Sequence, residues 1–545
     1  MQAPNKHITT SVSTIMLLFD TINKTNKDIK NFLYLSFQRT INFNTVMNNH
    51  LNPLITFLDK LPELFTKEDI IRYVEAEQIR MINFRYVAAD GRLKCLNLPV
   101  TNSRYLRDIL TYGERIDGSS LFTFIEAGSS DLYVVPRFRT AFVDPFAEIP
   151  ALNLLCSYFT KEGLPLESAP EYTLYKAHQA FQKSTGFTFE TMGELEFYVI
   201  APTDPLFPTP NQRGYHESSP FNKFESFRCE VINLIARAGC SVKYGHSEVG
   251  NFDSDGTTFE QNEIEFLVDT PESAADQLVI AKWIIRSLAH QYGLNVTFAP
   301  KITAGKAGSG LHFHTRMLRN GKSIMIQDGI LSPEARRAIA GYMICAPSLT
   351  AFGNTNPTSY FRLVPHQEAP TTVCWGDSNR SVLVRVPLGW LGQNNMLSIA
   401  NPLEPVEPLL GASQRQTVEM RCPDGSADVY QMMAGLITAA RHGLEMETEK
   451  ALQIAEQTYV DINIHQHGNE QKTKHLQHLP ASCHESAQCL EAHRAIYEQQ
   501  GVFSPSLIDG ILHKLRSYND SDIREQVKQD AALMQALVAQ YYHCG

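Results

Sequence analysis

Residues 192–200 read MGELEFYVI, with Glu194 and Glu196 straddling a leucine inside an apolar run. Charged side chains are almost never fully buried unless they are paired or bind a metal. On an extended strand the side chains at i and i+2 leave the same face. Glu194 and Glu196 therefore point together while Leu195 packs on the other side. The spacing recurs: FEQNEIEF offers Glu263 and Glu265, SGLHFHTRM offers His312 and His314, and TVEMRCP offers Glu419 and Arg421. NRSVLVRVP places Arg380 and Arg385 at the two ends of a β-branched strand. Taken singly, each reads as a strand with its polar side to water. Sharing one sheet, they would line a single concave surface. Crowded carboxylates raise one another's pKa unless cations sit among them. Carboxylates with an occasional imidazole suit hard divalent ions such as Mg²⁺ or Mn²⁺. Arginines beyond the ions suit phosphate and carboxylate groups. This is the composition of a phosphoryl-transfer site.

Positioning such groups takes a large fold. The chain has 545 residues, 43% hydrophobic and 19% charged, enough for an extensive core and more than one domain. With 58 acidic against 48 basic residues and a net charge of −10, it is not built for nucleic acid or anionic membranes. Its apolar runs fall far short of the roughly 20 residues that span a bilayer, and no signal-peptide pattern opens it. Ten cysteines without a CxxC pair read as reduced thiols of a cytoplasmic protein. Residues 1–65 read as a helical N-terminal extension. Thr66 followed by acidic residues marks a helix start, and the ADGR of residues 89–92 marks a hairpin turn. A small α+β domain is expected over 66–158. Helices and short strands then alternate from 159 to 545, ending in a mostly helical tail that opens with the amphipathic QMMAGLITAARHGLEME.

The ordered runs DGSS (117–120), GELEF (193–197), GHSEV (245–249), EQNEI (260–264), GSGLHFH (308–314), NPTSYFRLVPHQEAP (356–370), NRSVLVRVP (379–387) and VEMRCPDGSADVY (418–430) resemble the motifs of the glutamine synthetase family. The resemblance covers about 66–545. It implies an α+β fold: a small β-grasp-like domain plus a large catalytic domain with an antiparallel sheet funnel flanked by helices. It implies two or more Mg²⁺ or Mn²⁺ ions, one held by Glu196, Glu248 and Glu263 and one by Glu194, His312 and Glu419. His246, His314, Arg380 and Arg385 match positions that handle ATP and its phosphoryl group. Gly308, Arg362 and Arg421 match the glutamate site, and Glu368 matches the glutamate of a closing flap. Asp117 and Ser120 match an ammonium site donated across a subunit interface, which implies a ring-shaped homo-oligomer. The implied reaction joins ammonia to the γ-carboxyl of glutamate through a γ-glutamyl phosphate, with Asp117, Glu368 and Arg380 as the catalytic residues.

Three departures stand out. Lys306 and Ala307 replace an acidic or polar residue and an asparagine. The spacer between Glu248 and Glu263 is long and reads as a surface loop. Thr417 stands in place of an arginine near the phosphate, with Arg415 as a possible substitute. CWGDSNRS is similar to relatives that ligate other amines, whereas DGSS and Glu368 argue for ammonium. A catalytically silent regulatory relative is the third reading, opposed by the presence of every ligand position. The stretch from His465 to Cys489 fits no zinc spacing and reads as a solvated segment.

Overall fold

The computed structural model describes residues 50–122, 125, 130–364, 369–387, 389, 394–406, 412–466, 469 and 474–545. In the small domain, Thr66 caps helix α1 (Lys67–Ala76) through a reciprocal capping box with Asp69. Strands β1 (Met81–Val87) and β2 (Leu93–Pro99) form the hairpin expected at ADGR. Gly91 there holds φ +77°, a conformation open to glycine. Helix α2 (Ser103–Tyr112), β3 (Glu114–Asp117), β4 (Asp131–Pro136), β5 (Phe142–Val143) and β6 (Ala151–Thr160) complete the domain. The sheet order is β2-β1-β6-β4-β3, with β5 also on β6. The β1–β6 pair is parallel and the others are antiparallel. Residues 53–58 are helical too, and Leu54, Ile55 and Leu58 join the core of Ile70, Val74, Phe84, Leu106 and Leu154. The rest of the N-terminal extension, residues 1–49, lies outside the described residues.

The larger sheet positions the polar pairs. Its strands are β7 (Thr188–Pro202), β8 (Val242–Ser254), β9 (Thr257–Phe266), β10 (Asn295–Thr297), β11 (Leu311–Arg319) and β12 (Lys322–Ser323). After a separate ribbon, β13 (Ile326–Gln327) with β14 (Ile330–Leu331), come β15 (Trp375–Asp377), β16 (Val384–Val386) and β17 (Val418–Met420). The order is β15-β16-β17-β11-β7-β9-β8, with β10 on β7 and β12 on β11. Among the described strands of this sheet, only β15–β16 runs parallel.

Alternation along β7 sends Leu195, Phe197 and Val199 into the core, where helix α3 (Pro271–Gln291) covers them. The approach is close. A Cβ on Gly193 would stand 2.8 Å from Leu278 Cδ1. Helices α4 (Pro333–Gly353) and α5 (Val429–Glu445) pack behind. The amphipathic run after Tyr430 is thus core packing.

The spacer between Glu248 and Glu263 is not a loop. It is the far end of the β8–β9 hairpin, paired as far as Ser254–Thr257. Asp255 and Gly256 turn it with φ of +51° and +74°. Two adjacent positive φ values are what a two-residue hairpin turn requires, and Asp-Gly supplies them. Turn-forming residues read from sequence as a loop can instead be strand ends around a tight turn.

A charged seam joins the two domains. Arg137 and Arg139, from the small domain, reach Asp276 of α3 at 2.8 and 2.6 Å. Tyr430 donates to the same carboxylate at 2.7 Å, and the Arg85 guanidinium lies 3.9 Å from the Trp283 ring centroid. Among the described residues no helix is long and apolar enough to cross a membrane.

Candidate active site

Register brings the pairs together. Across the sheet His312 faces Glu194, Glu194 faces Glu265, Glu196 faces Glu263 and Glu263 faces His246. On the other side of β11, His314 faces Glu419, which faces Arg385. These side chains line one cavity of about 1810 Å³. Glu248 reaches it from a bulge, where β8 inserts extra residues between its pairings at Ser247 and Asn251. Bulges re-aim side chains in this way beside functional sites.

The contacts are close. Glu194 accepts from His314 Nε2 at 2.8 Å and lies 3.1 Å from His312 Nδ1. Glu419 accepts from Arg385 at 2.9 Å and Arg421 Nε at 3.1 Å, with His312 Nδ1 at 3.6 Å. Glu263 lies 3.2 Å from His246 Nε2. Glu196 accepts from the Gly310 amide at 2.7 Å and Gln261 Nε2 at 3.0 Å. Three sets of donor atoms fall within 4.8 Å of one another: Glu194, Glu263 and His312; Glu194, His314 and Glu419; His246, Glu248 and Glu263. The histidines His246 and His314 thus stand among the acidic groups as closely as His312 does.

Electrostatics tests whether a cation fits. Burial, and then the charges of Glu194, Glu196, Glu248 and Glu265, push the Glu263 carboxyl well above its ordinary range. Burial acts on Glu194 in the same direction, but His314 and His312 outweigh it and hold that carboxyl well below. Burial would lower His314, yet the Glu194 charge beside it raises it. Four carboxylates crowding a fifth are stable together when a positive charge lies among them. Oxygen donors with a few imidazoles are the set that hard divalent ions take. The residues present fit Mg²⁺ or Mn²⁺.

The remaining candidates border this cluster or lie apart from it. Arg362 donates to Cys422 O at 2.8 Å and lies 3.4 Å from His312 Nε2. Gly308 is cradled: a Cβ there would stand 2.4 Å from Pro300 O and 3.0 Å from Arg362 Cγ. Arg380 lines the cavity but is not on a strand, because only Val384–Val386 is extended. Asn379 Oδ1 accepts from the Ser381 amide at 3.0 Å and its hydroxyl at 2.7 Å, a side-chain turn that delays the strand. Thr417 bonds His314 Nδ1 at 2.9 Å, and Arg415 reaches the cavity beside it.

Asp117 and Ser120 do not line the cavity. Asp117 accepts from the Ser120 hydroxyl at 2.6 Å, the Ser119 hydroxyl at 2.7 Å and the Ser119 amide at 3.0 Å. The Ser120 and Ser119 hydroxyls hold its carboxyl down to about 2. Glu368 lies outside the described residues.

The cavity also takes residues that sequence reasoning passed over, including Gln212, Tyr215, Lys243, Tyr244, Arg316 and Asn463. Tyr244 stands two before His246, so the spacing that revealed the acidic pairs was available for it. His465, read as part of a solvated segment, lines the wall as well. The metal-compatible groups among the described residues include no member of the stretch from His465 to Cys489.

Comparison with known proteins agrees with this geometry. The family model described as "Glutamine synthetase, beta-Grasp domain" matches residues 78–161, and "Glutamine synthetase, catalytic domain" matches residues 167–532. The glutamine synthetase of Thermotoga maritima is 28% identical over 444 residues, spanning 80% of this chain and 92% of its own. That of Pyrococcus furiosus is 29% identical over 429 residues, spanning 78% and 87%. A cryoEM structure of Plasmodium falciparum glutamine synthetase superposes with a TM-score of 0.68 at 19% identity, covering 85% of this chain and 97% of that one. Apo GmaS without ligand superposes with a TM-score of 0.66 at 20% identity, covering 84% and 96%. Those two likenesses show a shared fold. With both domain models matched along most of its length, the chain belongs to the glutamine synthetase family of ligases.

Proposed function

We propose that this ligase joins ammonia to the γ-carboxyl of L-glutamate, converting ATP to ADP and phosphate. The observation that carries the reading is the convergence of carboxylates and imidazoles from five strands in one cavity, with Arg362, Arg380, Arg385 and Arg421 at its border. A carboxylate is a poor electrophile. Its oxygen first attacks the γ-phosphorus of ATP, forming an O–P bond as ADP leaves. The ammonia nitrogen then attacks the carbonyl carbon of this acyl phosphate, forming the C–N bond as the C–O bond breaks and phosphate leaves.

Each residue has a part in that sequence. Divalent cations held by Glu194, Glu196, Glu248, Glu263, His312 and Glu419 would supply positive charge to the phosphate oxygens. Arg380, Arg385, His246 and His314 bind and orient the nucleotide phosphates. A guanidinium pair offers fixed charge without reorganisation as the transferring group moves. Arg362, Arg421 and the Gly308 backbone hold glutamate. Ammonium must lose a proton to become a nucleophile, and a carboxylate takes it: Asp117, with Ser120, from a neighbouring copy of the chain. Glu368 closes the site, because water would hydrolyse the acyl phosphate. Because Asp117 does not reach its own chain's cavity, the working form is an oligomer with sites between subunits.

An organic amine is the second reading, favoured by the Tyr215 and Tyr244 rings in the cavity wall. The full chain with ATP, Mg²⁺ and glutamate is given ammonium or a panel of amines, following phosphate release and product mass. Ammonium-dependent release with glutamine as product is expected. Release that responds to an amine but not to ammonium replaces the first reading with the second.

A further inference from the structure

The loop Gly305–Gly308 borders the cavity, yet Ala307 offers it no polar side chain. Its polar contacts are made with neighbouring segments instead. The Ala307 amide donates to Gln212 Oε1 at 2.7 Å, and Ala307 O accepts from Tyr198 Oη at 2.9 Å. Lys306 Nζ donates to Asn211 Oδ1 at 2.9 Å, and Lys306 O accepts from Lys301. Two of these partners, Asn211 and Gln212, are neighbours on the irregular segment between β7 and helix Glu225–Arg237.

That same segment grips the bulge that carries Glu248. The Gln212 amide and Nε2 donate to Asn251 O at 2.9 and 3.2 Å. The Arg213 amide donates to Asn251 Oδ1 at 2.8 Å, and Ser247 Oγ donates to Gly214 O at 2.7 Å. Gln212 therefore touches both the loop and the bulge from the outer segment, as Gln261 of β9 does from the sheet, its Nε2 donating to Gly308 O at 3.0 Å and its Oε1 accepting from the Gly250 amide at 3.1 Å. Gln212 does so with φ at +57°, a left-handed conformation that non-glycine residues avoid and hold only where surrounding contacts fix it.

We propose that Gln212 is a positioning residue. It latches the Gly305–Gly308 loop to the Glu248 bulge and so sets the wall that encloses the glutamate side of the cavity, an assignment that rests on the reading of the site given above. Its side-chain oxygen does the anchoring that position 307 cannot do for itself.

Two readouts on the full-length protein test it. In amide hydrogen exchange without ligands, Gln212→Leu should speed exchange of a peptide spanning 303–309 about tenfold, the scale of one lost hydrogen bond. Gln212→Glu, which keeps an acceptor at that position, should restore most of the protection. In turnover, Gln212→Leu should raise the KM for glutamate about tenfold while the KM for ATP stays within about twofold. Gln212→Glu should again recover most of the difference. Unchanged exchange in Gln212→Leu overturns the latch. Faster exchange with an unchanged glutamate KM overturns its positioning role. Should the native chain turn over no glutamate with any amine, the functional reading falls, and the exchange comparison alone decides the latch.

Discussion

The two regions that carry the proposed chemistry are built in opposite ways. In the large sheet, Glu194 meets His312 and His314, residues more than a hundred positions away, and Glu196, Glu263 and Glu419 likewise take partners from neighbouring strands. Around Asp117 the partners are Ser119 and Ser120, two and three residues on, with the Ser130 side chain from the adjoining strand end, and the group stands exposed. The first site needs the whole fold and is assembled inside one chain. The second is finished locally and presented outward. A carboxylate kept ionised on the surface, away from its own cavity, is suited to act in another copy.

Changes to the two regions should therefore fail differently. Glu194→Gln removes the carboxylate on which both histidines converge. Turnover should drop beyond about 10³-fold, with loss of tight Mg²⁺ or Mn²⁺ binding by titration calorimetry. Retained metal affinity would show that the cluster is a hydrogen-bond network and no more. Asp117→Asn should lower amide formation about 10²–10⁴-fold, the range of general-base catalysis, with metal and ATP binding unchanged. The contrast sharpens on mixing. Co-assembled Asp117→Asn and Glu194→Gln subunits should regain activity that neither has alone, because one chain supplies the cavity and the other the aspartate. Absence of any gain would place Asp117 outside the reaction.

The smallest effect concerns the seam that holds the two regions in register. Burial pushes the Glu171 carboxyl up to about 7, beside Arg137 and accepting from the Tyr158 amide at 2.9 Å. Its folded pKa exceeds its unfolded value, so the folded state binds more protons between them. Stability then falls as pH rises from about 4.5 to about 7 and levels off above. Glu171→Gln should flatten that slope by on the order of 1–3 kcal/mol in denaturant titrations. An unaltered slope would show that the carboxyl is ordinary.

What the sequence disclosed follows the same divide. Alternation is a local property, so the pairs Glu194–Glu196, Glu263–Glu265 and His312–His314 could be read two residues at a time. Their meeting depends on strand register, which is set by long-range packing and which no short window contains. Hence His314 contacts Glu194 and Thr417, a grouping that spacing alone does not give. Turn chemistry misled where it marked the end of a strand: Asp255 and Gly256 turn a hairpin instead of bounding a loop. Arg380 reads as a strand residue because nothing in NRSV shows that Asn379 folds back on Ser381. Gln212 carries no sequence signal, since it lies in an irregular segment and acts through backbone groups of two others.

The direct test of the central claim is a manganese titration of the full chain read by electron paramagnetic resonance, in the native protein and in Glu263→Gln. The account predicts at least two tightly bound ions per chain in the native protein and fewer in the variant. Native protein that leaves all its manganese free in solution, or a variant that binds as many ions as tightly, would contradict it.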